Sequence, residues 1–250
     1  MHRYSIPFLG ALVALSGASV AALPAPAAQT DSGRLAVFGA ASLTEVLPKL
    51  DTRPRYSFAG SDQLAAQILL GARADVFAAA SPKYPELLYK QGHCGKPVAF
   101  ATNALTVVVP HSNPAGIHSM TDLTRSGVKV VIADRRVPVG AYTRQVLQKL
   151  GIEEAVLRNV VSEETDVKAV VAKVALGEAD AGFVYATDAR PVQAKVLRVA
   201  IPARAQPLVV YEVGVVKDAR HPLAARRFIA KLLSPRGQAL LVRYGFGRKP

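Results

Sequence analysis

Short apolar runs alternate along this chain with segments whose apolar residues recur every three or four positions. Three such pairs open the sequence: a strand at 34–38 with a helix at 42–50, a strand at 56–58 with a helix at 61–70, and a strand at 75–79 with a helix at 82–91. This alternation is typical of a parallel sheet covered by helices. The pattern therefore predicts an α/β fold.

A second series follows the longer apolar run 103–109, which Pro110 ends. It predicts strands at 128–133, 181–185, 196–201 and 208–216, and helices at 141–150, 165–176, 221–233 and 235–244. Two such series predict two lobes joined by two crossing strands, with loops at the carboxyl ends of the strands facing a shared cleft. We expect lobe 1 to comprise residues 28–110 and 206–250, and lobe 2 to comprise residues 111–205.

The first residues have the pattern of an export signal. His2 and Arg3 precede a small, apolar stretch at 6–23, and Ala25 and Ala27 form an Ala-x-Ala cleavage site. These features predict a cleaved signal peptide, residues 1–27, and a periplasmic mature protein. A membrane anchor is the alternative, but no basic flank follows the stretch. No cysteine stands at the cleavage site, so a lipid anchor is not expected.

The net charge and the cysteine count limit which classes of partner and of site the chain can have. The formal net charge is +13, but the basic residues are dispersed, with no run longer than two. We therefore interpret the charge as favouring solubility and attracting small anions, not nucleic acid. Cys94 is the only cysteine, which excludes an internal disulfide and favours a loop or small core residue over a metal ligand or reactive thiol. We expect a monomer.

Two strand-to-helix junctions in the first series carry serines among small residues. Ser42 follows the first strand, with Glu45 three residues later, which is the spacing of a capping box. Ser61 follows Phe58-Ala59-Gly60 and opens the next helix. A helix N-terminus presents unpaired N–H groups and the positive end of its dipole, so both junctions are candidate anion sites.

Three further candidates lie in the second series. The segments 138–142 and 164–167 each open a helix and can offer backbone N–H groups. Tyr185 stands at the carboxyl end of a predicted strand. A buried phenol there requires a hydrogen-bond partner, and it could serve either a ligand or core packing.

Together these segments resemble the periplasmic molybdate-binding proteins of ABC importers. The matching stretches are Ala-Ala-Ser-Leu-Thr at 40–44, Phe-Ala-Gly-Ser at 58–61, Gly-Ala-Arg-Ala-Asp-Val-Phe at 71–77, Val-Pro-Val-Gly at 137–140, Thr-Asp-Val at 165–167, Gly-Phe-Val-Tyr-Ala-Thr-Asp-Ala at 182–189 and Arg-Tyr-Gly-Phe at 243–246. They cover nearly the whole mature chain in order. The resemblance implies the two-lobed type II periplasmic binding protein fold, which closes on its ligand.

The resemblance also implies which residues bind the oxyanion. The two serine donors fall on Ser42 and Ser61, the backbone N–H donors on Val139 and Val167, and the tyrosine hydroxyl on Tyr185. Relatives often have Ala at the position of Val139, which should matter little for a backbone contact.

Asp62 is a second departure, since relatives often have a neutral polar residue there. A carboxylate turned into the cleft would repel a dianion. As a first-turn residue of a helix, Asp62 is expected to face solvent and to interact favourably with the helix dipole.

The donor chemistry suits a fully deprotonated oxyanion. Molybdate accepts hydrogen bonds through all four oxygens and donates none, so its site should offer donors only. We expect a binding protein for molybdate, and for tungstate of nearly the same size, that delivers its ligand to a membrane permease; molybdenum would be held only as molybdate, and no cofactor is expected.

Other functions remain open on the sequence. The nearest alternative is a binding protein for sulfate or phosphate. Phosphate carries a proton that needs an acceptor, so an Asp62 carboxylate facing the cleft would favour phosphate. A secreted hydrolase built on Ser42 or Ser61 is disfavoured because the chain lacks a Gly-x-Ser-x-Gly elbow. A ferric-ion binder would need clustered tyrosines, histidines and carboxylates, and the tyrosines here are dispersed. We therefore do not expect an enzyme.

Overall fold

The computed structural model describes residues 33–250, and the predicted signal peptide lies outside the described residues. The strands are β1 (Ala36–Ala40), β2 (Arg55–Ala59), β3 (Val76–Ala79), β4 (Val98–Asn103), β5 (Leu105–Pro110), β6 (Val130–Ala133), β7 (Val160–Glu164), β8 (Ala181–Tyr185), β9 (Val196–Val199) and β10 (Val209–Val215). The α-helices are α1 (Leu47–Leu50), α2 (Ser61–Leu69), α3 (Lys83–Lys90), α4 (Pro138–Lys149), α5 (Glu153–Leu157), α6 (Val167–Ala175), α7 (Ala186–Ala189), α8 (Pro222–Leu233) and α9 (Pro235–Arg243).

The strands form two five-stranded sheets of the same design. The first has the order β2-β1-β3-β10-β4 and the second the order β7-β6-β8-β5-β9. In each sheet three strands run parallel, and the fourth strand is antiparallel to both of its neighbours. The α/β fold with two lobes is therefore confirmed, and each lobe is one sheet with its flanking helices.

The first crossing between the lobes comes earlier than the apolar pattern suggested. The run 103–109 belongs to two strands, since β4 ends at Asn103 in the first sheet and β5 pairs with β8 in the second, Leu105 opposite Tyr185. The chain thus changes lobe at Ala104, not after Pro110. Only Phe100 and Ala101 of β4 are buried, whereas β5 is buried from Leu105 to Val109. The predicted apolar run is therefore mostly β5, and hydrophobicity alone does not mark the crossing. The return crossing lies between β9 and β10.

Helices cover both faces of the central strands. Every residue of β3, β6 and β8 is buried, which is why these strands appear in the sequence as continuous apolar runs. Cys94 is buried too, and its Sγ donates to the Val215 carbonyl at 3.2 Å. Burial raises the pKa of the Cys94 thiol to about 11, which agrees with the prediction of a small core residue. Within residues 33–250, no helix has the length and apolar character needed to span a membrane.

Candidate functional site

A small cavity lies between the carboxyl ends of strands from the two lobes. Little free space remains between these strand ends, so the cavity suits a small ion and not a larger ligand. The lining residues are Ala40, Ala41, Ser42, Ala59, Gly60, Ser61 and Ala80 from lobe 1, and Val137, Pro138, Val139, Asp166, Val167 and Tyr185 from lobe 2. The structure thus brings all five sequence-predicted site residues to one cavity.

Ser42 reaches the cavity from a short 3₁₀ helix, not from a capping box. The helix, Ala41–Leu43, follows β1, and its N-cap is Ala40, which makes no side-chain capping bond. Ser42 Oγ instead lies 2.9 Å from the hydroxyl of Tyr211. Glu45 is exposed and does not reach back to the helix start. The capping-box prediction was wrong because the chain tightens into a 3₁₀ turn, which moves Ser42 inside the helix.

Ser61 is the first residue of α2, and Gly60 is the N-cap. The hydroxyl oxygen of Ser61 accepts a hydrogen bond from the Ala80 N–H at 3.1 Å, so it ties the start of α2 to the end of β3. Gly60 has a separate role at the lobe boundary. A Cβ at this position would lie 2.6 Å from the Thr165 carbonyl oxygen of lobe 2, so the close approach of the lobes requires glycine.

Lobe 2 offers backbone donors at the starts of two helices. Pro138 is the first residue of α4, so Val139 lies in the first turn, where N–H groups have no partner within the helix. Asp166 caps α6 by accepting from the N–H groups of Lys168 and Ala169, and the cap does not engage the N–H of Val167, the first residue of the helix. Val139 and Val167 both line the cavity, so the first turns of α4 and α6 can each offer a backbone N–H to a ligand.

Glycine is also required where α4 begins. A Cβ on Gly140 would lie 2.2 Å from the Asp134 carbonyl oxygen and 2.3 Å from that of Ala133. The helix start that positions the Val139 N–H therefore packs directly on the backbone that leaves β6.

Tyr185 places a hydroxyl into the cavity from the end of β8. Its side chain is 2% exposed, and its hydroxyl has no hydrogen-bond partner among the described residues. Burial raises the pKa of Tyr185 well above 10, so the phenol keeps its proton and remains a donor. A buried, unpartnered donor in a small cavity indicates a ligand that accepts hydrogen bonds.

Asp62 does not face solvent as expected. The residue is partly buried, its Oδ1 is fully buried, and that oxygen accepts no hydrogen bond from the described residues. Burial raises the pKa of this carboxyl. Asp62 does not belong to the cavity lining, so it lies beside the site without supplying an acceptor to it.

Contacts that join the two lobes were not foreseen from the sequence. Lys168 of α6 lies 3.2 Å from Oδ1 of the buried Asp188 and 3.8 Å from Oε1 of Glu45 in lobe 1. Burial raises the pKa of Asp188 to about 6, and the ammonium of Lys168 opposes the shift. Tyr84 of lobe 1 donates to the Arg136 carbonyl of lobe 2. These residues are distant in sequence and form no local motif.

The lining is rich in donors and poor in free acceptors. Asp166 supplies its only carboxylate, and Oδ1 of that group accepts both N–H groups of the α6 cap. None of the lining residues is a histidine, so neither serine has an adjacent imidazole base in the cavity. Over residues 33–250, no group of three or more metal-ligating side chains occurs. The arrangement can bind a small anion and shows no constellation for nucleophilic catalysis.

Known proteins resemble this chain over most of its length. The molybdate-binding protein ModA of Mycobacterium tuberculosis is 38% identical over 234 residues, which is 89% of this chain and 88% of the relative. ModA of Escherichia coli is 31% identical, covering 92% of this chain and 95% of the relative.

Solved structures agree in fold. The periplasmic molybdate-binding protein of Azotobacter vinelandii superposes with a TM-score of 0.76 at 24% identity, over 87% of this chain and all of the other. The substrate-binding domain of a molybdenum ABC transporter from Clostridium difficile, described as putative, superposes with a TM-score of 0.64 at 28% identity, over 87% and 99% of the two chains. The family model of bacterial extracellular solute-binding proteins matches residues 40–247. The chain therefore belongs to the bacterial extracellular solute-binding proteins.

Proposed function

We propose that this protein captures molybdate, and tungstate with it, in the periplasm and delivers the oxyanion to the permease of an ABC importer. Export through the predicted signal peptide and action as a monomer are part of the proposal. Two relatives above 30% identity that match nearly the whole chain carry the name of molybdate-binding proteins, which supports this ligand.

The observation that carries the proposal is a donor-rich cavity shared by both lobes. Its lining includes Ser42, Ser61, Tyr185, Val139 and Val167, which together can offer three hydroxyls and two backbone N–H groups. Hydrogen bonds to a charged group contribute about 1.5–3 kcal/mol each. Five such bonds total about 7.5–15 kcal/mol, compared with the roughly 8 kcal/mol of a micromolar site, so all but the bottom of this range leaves free energy to offset desolvation and closure of the lobes.

The same geometry disfavours phosphate. Phosphate carries a proton near neutral pH and requires an acceptor in its site. Asp166 Oδ1 accepts the two N–H groups of the α6 cap, and Asp62 lies outside the lining. An oxyanion without protons satisfies the donors and leaves no proton unpaired.

Thermal unfolding tests the proposal directly. The mature chain would be refolded, dialysed free of anions, and melted with molybdate, tungstate, sulfate, phosphate or ferric citrate. A ligand specific for the folded state stabilises it by about 2.7 kcal/mol at a concentration of 100 Kd. We expect molybdate and tungstate to raise the melting temperature most, at the lowest concentrations.

A matched control is the double variant Ser42→Ala/Ser61→Ala, which keeps the backbone donors and should lose most of the molybdate response. A larger response to sulfate or phosphate than to molybdate would show that the ligand assignment is wrong. Turnover of an ester or peptide substrate by the parent would contradict a purely binding role.

A further inference from the structure

A second layer of hydrogen-bond donors lies behind the two cavity serines. Behind Ser61 the donor is the backbone N–H of Ala80, at 3.1 Å from Oγ. An N–H can only donate, so the Ser61 oxygen must accept, and the serine's own proton is left free for the cavity. Ser42 has no backbone donor on its oxygen and instead contacts the hydroxyl of Tyr211 at 2.9 Å.

The direction of the bond between Ser42 and Tyr211 is set by Asn103, the last residue of β4. The Ala104 N–H donates to Asn103 Oδ1 at 2.9 Å, which fixes the orientation of the amide. The amide nitrogen Nδ2 therefore points the other way and donates to Tyr211 Oη at 3.2 Å and to Thr187 Oγ1 at 2.9 Å.

Tyr211 is fully buried, so its own proton also requires an acceptor. Its oxygen accepts from Asn103, and among the described residues the one acceptor recorded within hydrogen-bond distance is Ser42 Oγ. The reverse polarity, in which Ser42 donates to Tyr211, would leave a buried phenol proton unpaired. A chain of hydrogen-bond donors, the relay, therefore runs from Asn103 to Tyr211 to Ser42 and ends at the cavity.

We propose that Asn103 and Tyr211 are positioning residues that fix the Ser42 hydroxyl as a donor and so make the site selective for oxyanions without protons. The inference rests on the proposed function and extends it to residues outside the cavity lining. A singly protonated anion such as hydrogen phosphate needs one acceptor. The oxygens of Ser61 and Ser42 already accept from the Ala80 N–H and from Tyr211, so the proton is the group that each serine turns toward the cavity.

The two serines differ in how the direction of their hydrogen bonds can be changed. The donor behind Ser61 is main chain and survives every substitution except proline. The donor behind Ser42 consists of two side chains, so Tyr211→Phe removes it while keeping the ring. Ser42 Oγ then has no donor behind it, and its proton can turn away from the cavity to let the oxygen accept from a ligand.

The experiment compares molybdate with phosphate by titration calorimetry on the parent, Tyr211→Phe and a control. We expect Tyr211→Phe to bind molybdate only a few-fold more weakly, but to lose about tenfold of the molybdate-to-phosphate affinity ratio, the equivalent of one hydrogen bond. Tyr56→Phe is the matched control, since the Tyr56 hydroxyl donates to the Leu47 and Asp51 carbonyls in lobe 1, away from the cavity. Its affinity ratio should equal that of the parent.

Reversing the relay gives an independent result. In Asn103→Asp a carboxylate replaces the amide donor and accepts the Tyr211 proton, so Ser42 must donate backward and is lost to the ligand. We expect a molybdate affinity at least as low as that of Ser42→Ala. Adding Tyr211→Phe to this variant keeps the new charge but cuts the relay, so part of the affinity should return, a non-additivity that charge repulsion alone does not produce.

The outcomes separate the two proposals. If the parent does not bind molybdate, the proposed function fails. If the parent binds molybdate and Tyr211→Phe keeps the affinity ratio of the parent, the relay is overturned. Should Tyr211→Phe not fold, the relay is judged by Asn103→Asp alone, and a molybdate affinity equal to that of the parent would refute it.

Discussion

The two halves of the cavity offer the same chemistry by different means. Lobe 1 contributes serine hydroxyls whose oxygens already have partners, the Ala80 N–H for Ser61 and Tyr211 for Ser42. Lobe 2 contributes the N–H groups of two helix starts and the hydroxyl of Tyr185, which has no partner among the described residues. The lobe 1 hydroxyls are thus held by protein partners before a ligand binds, and only their protons await it, whereas the Tyr185 hydroxyl of lobe 2 has no such support.

This difference indicates how binding and closure are divided. The hydroxyls of lobe 1 are held in place before the ligand arrives, which limits the ordering cost of the first contacts. The donors of lobe 2 lie buried and unpaired in the closed arrangement, which is costly until an acceptor is present. The ligand therefore favours the closed state by its differential contacts with lobe 2.

Among the variants that test this comparison, Gly140→Ala should have the largest effect. A Cβ there would meet two backbone carbonyl oxygens at 2.2 and 2.3 Å, and backbone cannot yield as a side chain can. We expect the free energy of unfolding to fall by about 3 kcal/mol, the upper range for overpacking, together with a loss of molybdate binding as the start of α4 shifts. Denaturant unfolding measures the first effect and calorimetry the second.

Gly60→Ala is the counterpart in lobe 1. Its Cβ would lie 2.6 Å from the Thr165 carbonyl oxygen of the other lobe and 2.6 Å from Asp62 Oδ1 of its own lobe. The Asp62 side chain can turn aside, whereas the clash with the backbone carbonyl arises only when the lobes are close together. The empty variant should unfold near the parent while binding molybdate about tenfold more weakly, a difference of about 1.4 kcal/mol. Equal destabilisation of the two empty variants would show that closure is not the relevant contact at Gly60.

The sequence predicted the fold well where one segment forms one element. Strand β8 and helices α2 and α8 lie within one residue of their predicted bounds. It failed at the first crossing between the lobes, at Ala104, because β4 has only two buried residues and gave too weak an apolar signal to be separated from β5. Strand β7, whose residues alternate between partly buried and exposed, gave too weak an apolar signal to be predicted.

The cavity residues were found through motifs, while the residues behind them were not. Ser42, Ser61 and Val167 stand in short segments after strands, where small residues and helix starts form local patterns. Tyr211 and Asn103 lie in the middle and at the end of strands and reach the site through pairing of β10 with β4. Their role depends on how β10 and β4, which are far apart in sequence, pair in the sheet, and no short sequence motif indicates that pairing.

A third test removes the serine hydroxyls one at a time. Ser42→Ala and Ser61→Ala should each weaken molybdate binding by about 2 kcal/mol, the value of a hydrogen bond to a charged group. Neither serine is an N-cap, so no capping bond is lost. Calorimetry on the folded variants measures the affinity, and unchanged affinity in both would remove the serines from the site.

Lobe 2 provides the contrast for this test. Val139→Ala and Val167→Ala shorten buried side chains but keep the N–H groups that face the cavity. We expect some loss of stability from each, with affinity close to that of the parent. A loss of affinity as large as that of the serine variants would show that side-chain packing, rather than the backbone donors, governs the lobe 2 half.

The most specific test is Tyr185→Phe. The hydroxyl of Tyr185 is buried without a partner while the lobes are close together, so its removal should change the stability of the empty protein, with its lobes apart, only little. The same change deletes one donor to the ligand and should weaken molybdate binding by about 1.5 kcal/mol. Most of this loss should appear as faster dissociation, the usual route by which contact variants change affinity.

The affinity of Tyr185→Phe should thus fall while the stability of the empty protein is kept. Loss of packing would not give this result, because the ring contact with Tyr211, 5.8 Å between ring centroids, is retained. Thermal unfolding of the empty variant and stopped-flow dissociation of molybdate measure the two quantities. If the dissociation rate stays at the parent's value, the Tyr185 hydroxyl has no part in binding, and lobe 2 acts through its helix starts alone.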